Sequence, residues 1–177
     1  SAAIGKGLSE LHALGLIQRL PKLAVIQASG ANPFVTAFRT GAAIVPLAQA
    51  ETRATAIRIG DPISWRKSLR GVTASGGLVD EVTDQEILDA KANLDASGIG
   101  AEPASCAAVA GARKLAASGV IGRGERVCGI LTGHLLKDPE IVIDYHRGSL
   151  AGITSSHANA IRRSDPNLKA VLAAMGD

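Results

Sequence analysis

Aromatic residues and long apolar runs are scarce in this sequence. Phe, Trp and Tyr make up 2% of its 177 residues, too few for a surface on which nucleic-acid bases stack. The 19 Lys and Arg residues exceed the 16 Asp and Glu residues, but they are scattered in ones and twos, which is typical of a solvated surface. No apolar run approaches the ~18 residues of a membrane-spanning helix. We therefore expect no nucleic-acid partner and no membrane partner.

Cysteine is also rare, and the short motifs of common metal and nucleotide sites are missing. Cys106 and Cys128 have no second cysteine or histidine at metal-ligand spacing, so we expect both to be reduced and buried and predict no metal site. The glycine-rich fingerprints of dinucleotide and nucleoside-triphosphate sites do not occur. The Gly-x-Ser-x-Gly elbow of serine hydrolases does not occur either. These function classes have no local support in the sequence.

The sequence does contain an alternation of strand and helix patterns. Short apolar runs typical of buried strands in parallel sheets occupy residues 22–28, 77–82 and 126–132. Helix start signals follow the first two runs, at Asn32 with Pro33, at Asp61 with Pro62, and at the capping box from Thr83 to Glu86. This alternation predicts an α/β fold with a mostly parallel sheet and helices on both faces. Such folds bind ligands beyond the carboxyl ends of their strands.

Further helices are predicted around this alternation, over residues 1–15, 103–118 and 167–175, whereas residues 141–145 fit either a strand or a helix. No linker or repeat divides the chain, so residues 1–177 are expected to form a single α/β domain segment. The sequence does not begin with methionine, and its first residues already show helical spacing. These features predict that it belongs to a larger protein and forms an incomplete part of its fold.

Two polar segments lie where a parallel sheet offers a site. Glu102 and Ser105 stand at the entry to a helix of small side chains, and Thr132 with Gly133 follows the third predicted strand. Each segment also has a simpler explanation. Glu102 complements the positive end of a helix without any ligand, and a threonine at a strand end commonly bonds the local backbone. The spacing alone leaves both interpretations open.

Three motifs carry a resemblance to a known family. They are ETRATAIRIGDPISW at residues 51–65, EPAS at residues 102–105 and LTGHLLKDP at residues 131–139. In this order and at these separations the sequence resembles the threonine synthases over about residues 1–139. These are pyridoxal-phosphate enzymes of the fold that also includes cysteine synthase and the tryptophan synthase β chain. The resemblance implies a C-terminal portion of such an enzyme, acting on a small-molecule substrate.

The resemblance implies conversion of O-phospho-L-homoserine and water to L-threonine and phosphate, with pyridoxal phosphate as cofactor. It implies that Thr132, beside Gly133, bonds the pyridine nitrogen, and that a neutral hydroxyl there moderates the electron demand of the ring. The same resemblance places further support around the cofactor: Ala54 and Thr55 along one face, and Glu102 with Ser105 as buttresses of the pocket.

No catalytic residue is expected within this chain. In the resembled family the cofactor-binding lysine and the phosphate-binding loop lie upstream, and the lysine that matches Lys137 has no such role. The chain alone is therefore expected to be inactive. The sequence departs from the family in Leu135, where glycine is usual, and in a longer insert at residues 31–50.

Other functions remain open from the sequence. The nearest alternative is a serine/threonine dehydratase or another β-replacing pyridoxal-phosphate enzyme of the same fold. A more distant alternative is a non-catalytic α/β ligand-binding module that keeps only the scaffold. The resemblance further implies a cytoplasmic enzyme and leaves room for a homodimer as the full-length protein.

Overall fold

The structure, a computed structural model, describes residues 1–176. Its elements follow one another as α1 (Ala2–Ala13), β1 (Ala24–Ala28), α2 (Pro33–Thr40), α3 (Trp65–Ala74), β2 (Leu78–Val82), α4 (Asp84–Ala96), α5 (Pro103–Ala117), α6 (Pro139–Arg147) and α7 (Leu168–Met175). Short 3-10 helices occupy residues 29–31 and 55–57. Within residues 1–176 no helix is both long and apolar enough to cross a membrane.

The two strands form a parallel sheet with helices on both faces. β1 pairs with β2 from Ala24 opposite Leu78 to Ala28 opposite Val82. Successive side chains of a strand point to opposite faces, so Val25 and Ile26 enter different layers. Val25 packs in a cluster with residues of α2 and α3, and Ile26 packs in a cluster with residues of α4 and α5. The predicted α/β class with a parallel sheet is confirmed.

Close packing of α5 on the sheet depends on a missing side chain. A Cβ built on Gly111 would overlap the side chain of Ile26 on β1. The backbone of α5 can therefore approach the sheet closely, because glycine lacks this atom. The buried face of α5 is correspondingly made of small residues, which include Ala104, Cys106 and Ala107. This approach fixes the beginning of α5, where Glu102 and Ser105 lie, relative to the strands.

Helix starts follow the local signals with one exception. α2 begins at Pro33 after Asn32, and α4 begins after Thr83 with both hydrogen bonds of the predicted capping box formed. The helix expected directly after Asp61-Pro62 begins only at Trp65. The Trp65 N–H instead donates to the Pro62 carbonyl at 3.0 Å, so this stretch closes a turn before the helix starts.

The third predicted strand is absent. Residues 126–132 have no strand partner within the described chain and run as irregular backbone. Val127 and Ile130 are 55% and 49% exposed, because no neighbouring strand or helix covers them. Cys128 is exposed too, which corrects the expectation of two buried cysteines. Cys106 is buried as predicted, and burial raises the pKa of its thiol to about 11.

The last third of the chain has one buried residue among residues 118–176 that the structure describes. Residues 141–145 belong to the helix α6, which resolves the choice between strand and helix. Tyr145 of α6 is 2% exposed and packs with Leu88 and Ala92 of α4. α7 begins after Asn167, whose side chain accepts from the Ala170 N–H as an N-cap. None of the described residues of α7 is buried.

Candidate functional site

Three segments from distant parts of the sequence meet at the beginning of α5. They are residues 54–55, residues 102–105 and residues 132–138, and contacts between their side chains or backbone join them. The site cluster, as we call it, comprises the six residues singled out from the sequence: Ala54, Thr55, Glu102, Ser105, Thr132 and Gly133. The fold thus brings together residues that lie up to 79 positions apart between Ala54 and Gly133.

Glu102 is the most buried polar group of the site cluster. It is the N-cap residue of α5, ahead of Pro103 at the first helical position. Its side chain makes no capping hydrogen bond with the helix, and the residue is 4% exposed. Oε1 accepts a long hydrogen bond of 3.5 Å from the Ser105 hydroxyl. Oε2 has no hydrogen-bond partner among residues 1–176, although the Lys137 ammonium lies 3.4 Å away.

Gly133 joins the second and third segments. Its N–H donates to Ser105 Oγ at 2.9 Å, and its carbonyl accepts from the Glu102 N–H at 3.1 Å. A Cβ at Gly133 would overlap the carboxyl carbon of Glu102. Glycine is therefore required here, because the buried carboxylate occupies the space that any side chain would need.

Thr132 presents its hydroxyl at the rim of the site cluster. The residue is exposed, and Thr132 Oγ1 lies 3.4 Å from Ser105 Oγ. This is the hydrogen bond that the structure records for the Thr132 side chain, so the hydroxyl does not bond its local backbone as the simpler interpretation expected. A contact of this length is weak, which leaves the hydroxyl able to bond a ligand.

Ala54 and Thr55 differ in exposure. Ala54 is 1% exposed and packs in one cluster with Ala101 and Ala104 at the beginning of α5. Its N–H donates to Thr52 Oγ1 at 3.1 Å, and the Thr52 hydroxyl in turn bonds Asp84 at the start of α4. Thr55 is exposed. The core therefore fixes the backbone of this segment and leaves the Thr55 side chain at the surface.

Asp138 joins residues 54–55 to residues 132–138. The sequence had indicated no role for it. The Thr55 hydroxyl donates to both carboxylate oxygens of Asp138, at 2.7 and 2.9 Å. Asp138 has a φ of 53°, and no other non-glycine residue of the described chain has a positive φ. Such a conformation persists only where the surroundings hold it. The signal in the sequence was Asp138 before Pro139, the same helix-start pair as Asn32 before Pro33.

Leu135 departs from the family pattern without disrupting the fold. A Cβ built on Gly100 would overlap the side chain of Leu135. The leucine therefore occupies space that only a glycine at position 100 leaves free. Sequence reasoning did not detect this pair, because the two residues lie 35 positions apart.

Comparisons with known proteins show which family the chain resembles. Residues 1–133 match the family described as pyridoxal-phosphate dependent enzyme. The chain is 54% identical to a threonine synthase of Methanosarcina acetivorans and 48% identical to one of Methanocaldococcus jannaschii, each over 144 residues, which is 80% of this chain and 36% of the relative. It is 36% identical to threonine synthase 2, chloroplastic, of Arabidopsis thaliana, over 89% of this chain and 31% of that protein.

The predicted resemblance to threonine synthases is thereby confirmed. The chain spans about a third of the length of these curated relatives. Among solved structures, a threonine deaminase from T.th. superposes with a TM-score of 0.49 at 18% identity, over 60% of this chain and 38% of that one. Since the family profile matches residues 1–133 of 177, the chain belongs to the pyridoxal-phosphate-dependent enzymes.

Proposed function

We propose that the protein containing this chain converts O-phospho-L-homoserine and water to L-threonine and phosphate. The observation that carries the proposal is that the three motifs resembling threonine synthases, although far apart in sequence, meet in one site cluster. The relatives that are 54% and 48% identical to this chain over 144 residues are threonine synthases. We also propose that residues 1–177 are one segment of that longer catalytic chain.

The site cluster suits one end of pyridoxal phosphate. The ring nitrogen of this cofactor needs a hydrogen-bond donor, and Thr132 offers an exposed hydroxyl with a single weak contact. Behind it, Glu102 Oε2 is a buried carboxylate oxygen without a hydrogen-bond partner in the described chain. Buried polar atoms without a hydrogen-bond partner are rare in folded proteins. These two features support a polar ligand edge at this position.

Each residue of the site cluster then has a proposed part. Thr132 bonds the ring nitrogen, and Gly133 gives its backbone the freedom to lie against Glu102. Residues 54–55 line one face of the ring, where the buried Ala54 fixes the backbone and Thr55 is exposed. Ser105 and Glu102 support the loop that carries Thr132. The bound cofactor supplies an electron sink for the negative charge that develops on the substrate carbon.

A neutral hydroxyl at the ring nitrogen has a chemical consequence. An ionised partner would hold a proton on that nitrogen, whereas a hydroxyl only shares its own proton with it. The electron demand of the ring is then moderate, which suits elimination and replacement more than transamination. Residue 132 is therefore proposed to influence which products form as well as how fast they form.

The first experiment compares turnover with cofactor affinity in the full-length protein. Thr132→Ala removes one neutral hydrogen bond, which costs cofactor binding on the order of 1 kcal/mol, whereas turnover is expected to fall further. Phosphate release from O-phospho-L-homoserine and cofactor titration measure the two effects. Thr36→Ala is the matched control, because Thr36 is an exposed threonine on α2 outside the site cluster. Equal losses in turnover and affinity would contradict the proposed role of Thr132.

The second experiment addresses the reaction type. Thr132→Asp is expected to increase side products at the expense of threonine, because a carboxylate favours a protonated ring nitrogen. An unchanged product ratio would contradict this argument. A wild-type protein that releases ammonia from threonine and no phosphate from phosphohomoserine would identify a dehydratase instead.

The third experiment locates the lysine that binds the cofactor. Borohydride reduction of the cofactor-loaded full-length protein, followed by peptide mapping, is expected to leave Lys137 unlabelled. Its ammonium is paired with Glu102, and the resembled family has its cofactor lysine elsewhere. A stoichiometric label on Lys137 would overturn this assignment. The cytoplasmic location and the homodimer stay predictions.

A further inference from the structure

The buried carboxylate of Glu102 lies near Thr132, the proposed cofactor contact, and pairs with the ammonium of Lys137. The side chain of Glu102 is 5% exposed, and Lys137 is the residue whose ammonium approaches its Oε2 atom, at 3.4 Å. The Lys137 side chain is 61% exposed. An exposed lysine can usually be replaced at little cost, because surface ion pairs contribute little. This pair differs because its acidic partner lies in the interior.

Burial makes Glu102 dependent on its partners. An ionised carboxylate loses its hydration when it is buried, and it needs a cation and hydrogen-bond donors in return. Among residues 1–176, Oε1 has only the 3.5 Å contact with Ser105, and Oε2 has no hydrogen bond. The Lys137 ammonium is thus the principal compensation that the described chain gives to the carboxylate.

The geometry points to Lys137 as a positioning residue for Thr132, acting through the charge of Glu102. This inference rests on the proposed function, because it assumes that the Thr132 hydroxyl bonds the cofactor. Lys137 itself touches neither cofactor nor substrate in this scheme. It neutralises Glu102 from the far end of the loop that carries Thr132, and it holds the carboxylate in the place where Gly133 packs.

Glu102 is coupled to Thr132 through short contacts. Its carboxyl group fills the space beside the Gly133 Cα, and its N–H bonds the Gly133 carbonyl at 3.1 Å. Ser105 contacts Glu102 Oε1, accepts from the Gly133 N–H, and lies 3.4 Å from Thr132 Oγ1. A rotation of the Glu102 side chain would therefore disturb the residue adjoining Thr132 and the hydroxyl that contacts it.

Asp138 provides a second anchor on the same loop. Its carboxylate accepts the two contacts from the Thr55 hydroxyl, and its backbone has a φ of 53°. Lys137 and Asp138 are adjacent, so one end of residues 132–138 is tied to two different segments of the site cluster. Gly133 is bound to Ser105 and Glu102 near the other end. A loop held at both ends keeps a ligand group within the narrow tolerance that catalysis requires.

The test uses the full-length, cofactor-loaded protein and begins with two variants of Lys137. Lys137→Met keeps most of the side-chain length and removes the charge, whereas Lys137→Arg keeps the charge. We expect Lys137→Met to lower kcat about tenfold with KM changed less than about twofold, because displacement of a positioned group reduces the rate more than substrate binding. Lys137→Arg is expected to restore at least about half of the wild-type kcat, since a cation remains beside Glu102.

Lys114→Met is the matched control. Lys114 lies on α5, the helix that begins directly after Glu102, and its Nζ pairs with Asp80 at 3.3 Å. It is outside the site cluster, so its replacement is expected to leave kcat unchanged. An equal loss of kcat in Lys114→Met and Lys137→Met would overturn the proposal, because a general loss of stability would then explain both.

A double variant separates positioning from direct binding. Glu102→Gln removes the buried charge, so Lys137 has nothing left to neutralise. We expect Lys137→Met to cost no further activity in the Glu102→Gln background. Independent effects, in which the two losses multiply, would overturn the proposal. A raised KM with an unchanged kcat in Lys137→Met would also overturn it, because that pattern indicates a lysine that binds substrate directly.

Cofactor affinity distinguishes failure of this inference from failure of the proposed function. If the wild-type protein binds pyridoxal phosphate but releases no phosphate from phosphohomoserine, the proposed reaction is wrong. In that case the same variants still report on the loop. Lys137→Met is expected to weaken cofactor affinity about threefold, which is no more than the loss of one hydrogen bond would cause. In the Glu102→Gln background it is expected to leave the affinity unchanged. Unchanged affinity in Lys137→Met would then overturn the positioning role.

Discussion

β2 and the segment of residues 126–132 contain similar residues in very different surroundings. β2 lies beside β1 over its whole length, and Val79 and Val82 are 4% and 1% exposed. In residues 126–132, by contrast, Val127 and Ile130 are about half exposed, and the backbone has no strand beside it within residues 1–176. Both stretches are rich in the branched aliphatic residues that favour strands.

The difference shows that a stretch of chain forms a strand only when a second stretch lies beside it. The N–H and C=O groups of a strand point sideways and require a neighbour, whereas those of a helix are satisfied within the helix. β2 has β1 on one side, and the Lys114 ammonium donates to the Glu81 carbonyl at 2.6 Å. Residues 126–132 have no comparable neighbour in the described chain. Their residue types alone therefore do not produce a strand.

The largest difference in stability between the two stretches is expected when the same charged side chain is introduced into each. Val79→Asp places a carboxylate between β2 and the helices α2 and α3, and should cost unfolding free energy on the order of 3 kcal/mol or more. Val127→Asp should change it by less than about 0.5 kcal/mol, because the side chain is exposed. Urea unfolding of the chain measures both. A comparable loss in the two variants would show that residues 126–132 are covered in solution.

A smaller effect is expected from adding one methyl group in each region. Gly111→Ala pushes a methyl group into Ile26, and overpacking of this kind lowers the free energy of unfolding by about 1–3 kcal/mol. The higher helix propensity of alanine offsets up to about 1 kcal/mol of that loss. Gly129→Ala meets no atom within 4 Å and should be close to neutral. Thermal unfolding compares the two variants. An equally neutral Gly111→Ala would contradict the close approach of α5 to β1.

Acid should weaken the ion pairs that Asp80 and Glu81 of β2 make. Burial opposes the ionisation of Asp80, but the Glu81 N–H, Lys114 and Arg39 outweigh it, and the pKa of Asp80 is lowered from 3.8. Burial likewise opposes the ionisation of Glu81, and Asn32 and Arg39 outweigh it, so its pKa is lowered from 4.5. A lowered folded-state pKa adds stability above the ordinary value, and that stability is lost as the pH falls through the folded-state value.

Arg39→Gln tests this dependence. The variant should be less stable than the wild type at neutral pH, and the difference should shrink below about pH 4, where both carboxyl groups take up protons. Urea midpoints at several pH values measure the difference. Arg53→Gln is the control, because Arg53 is exposed and is not among the groups that act on Asp80 and Glu81. A difference that stays constant with pH would exclude the ion pairs as its source.

The last effect is a spectroscopic shift in α6, the helix that follows residues 126–132 and packs on α4. Tyr145 is the sole tyrosine of the chain. Burial raises its pKa to about 12, and a hydrogen bond of 2.5 Å to Asp89 adds to the rise. Ultraviolet titration should therefore find phenolate near pH 12 in the folded chain and near the ordinary value of 10.0 in urea.

The raised pKa of Tyr145 also predicts how the stability of the chain depends on pH. A raised folded-state pKa contributes stability below the ordinary value that is lost as the pH rises through the folded-state value. Asp89→Asn should lower the pKa of Tyr145, because it removes the negative acceptor. Asp144→Asn, a control on α6 itself, should not change it. A titration midpoint near 10 in the folded wild type would show that α6 is not docked on α4.

Local signals predicted much of the fold. The Thr83 capping box, the Asn32-Pro33 start and the runs that became β1 and β2 depend on residues close in sequence, and the structure confirms them. The Asp61-Pro62 start was wrong, because the same pair can close a turn before a helix. The strand at residues 126–132 was wrong as well, because no strand pairs with this stretch within residues 1–176.

The candidate site was partly accessible from the sequence. Glu102, Ser105, Thr132 and Gly133 were found as polar groups near helix and strand ends, and they lie together in the structure. The ion pair of Lys137 with Glu102 and the bond from Thr55 to Asp138 were not found. Each joins residues far apart in the chain, and nothing in local composition indicates such a pairing.

The sequence by itself indicated the helix starts at Pro33 and after Thr83, the runs that became β1 and β2, and the motifs shared with the pyridoxal-phosphate enzymes. Capping residues and short apolar runs are visible within a few positions of the sequence, although the two strands also needed each other as hydrogen-bond partners. Only the tertiary structure decided that residues 126–132 are not a strand, that Glu102 is a buried carboxylate facing Lys137, and that Leu135 fits over Gly100. These outcomes depend on which residues from distant parts of the sequence provide hydrogen-bond partners, opposite charges and unoccupied volume. The tertiary arrangement of the helices and strands determines which residues those are.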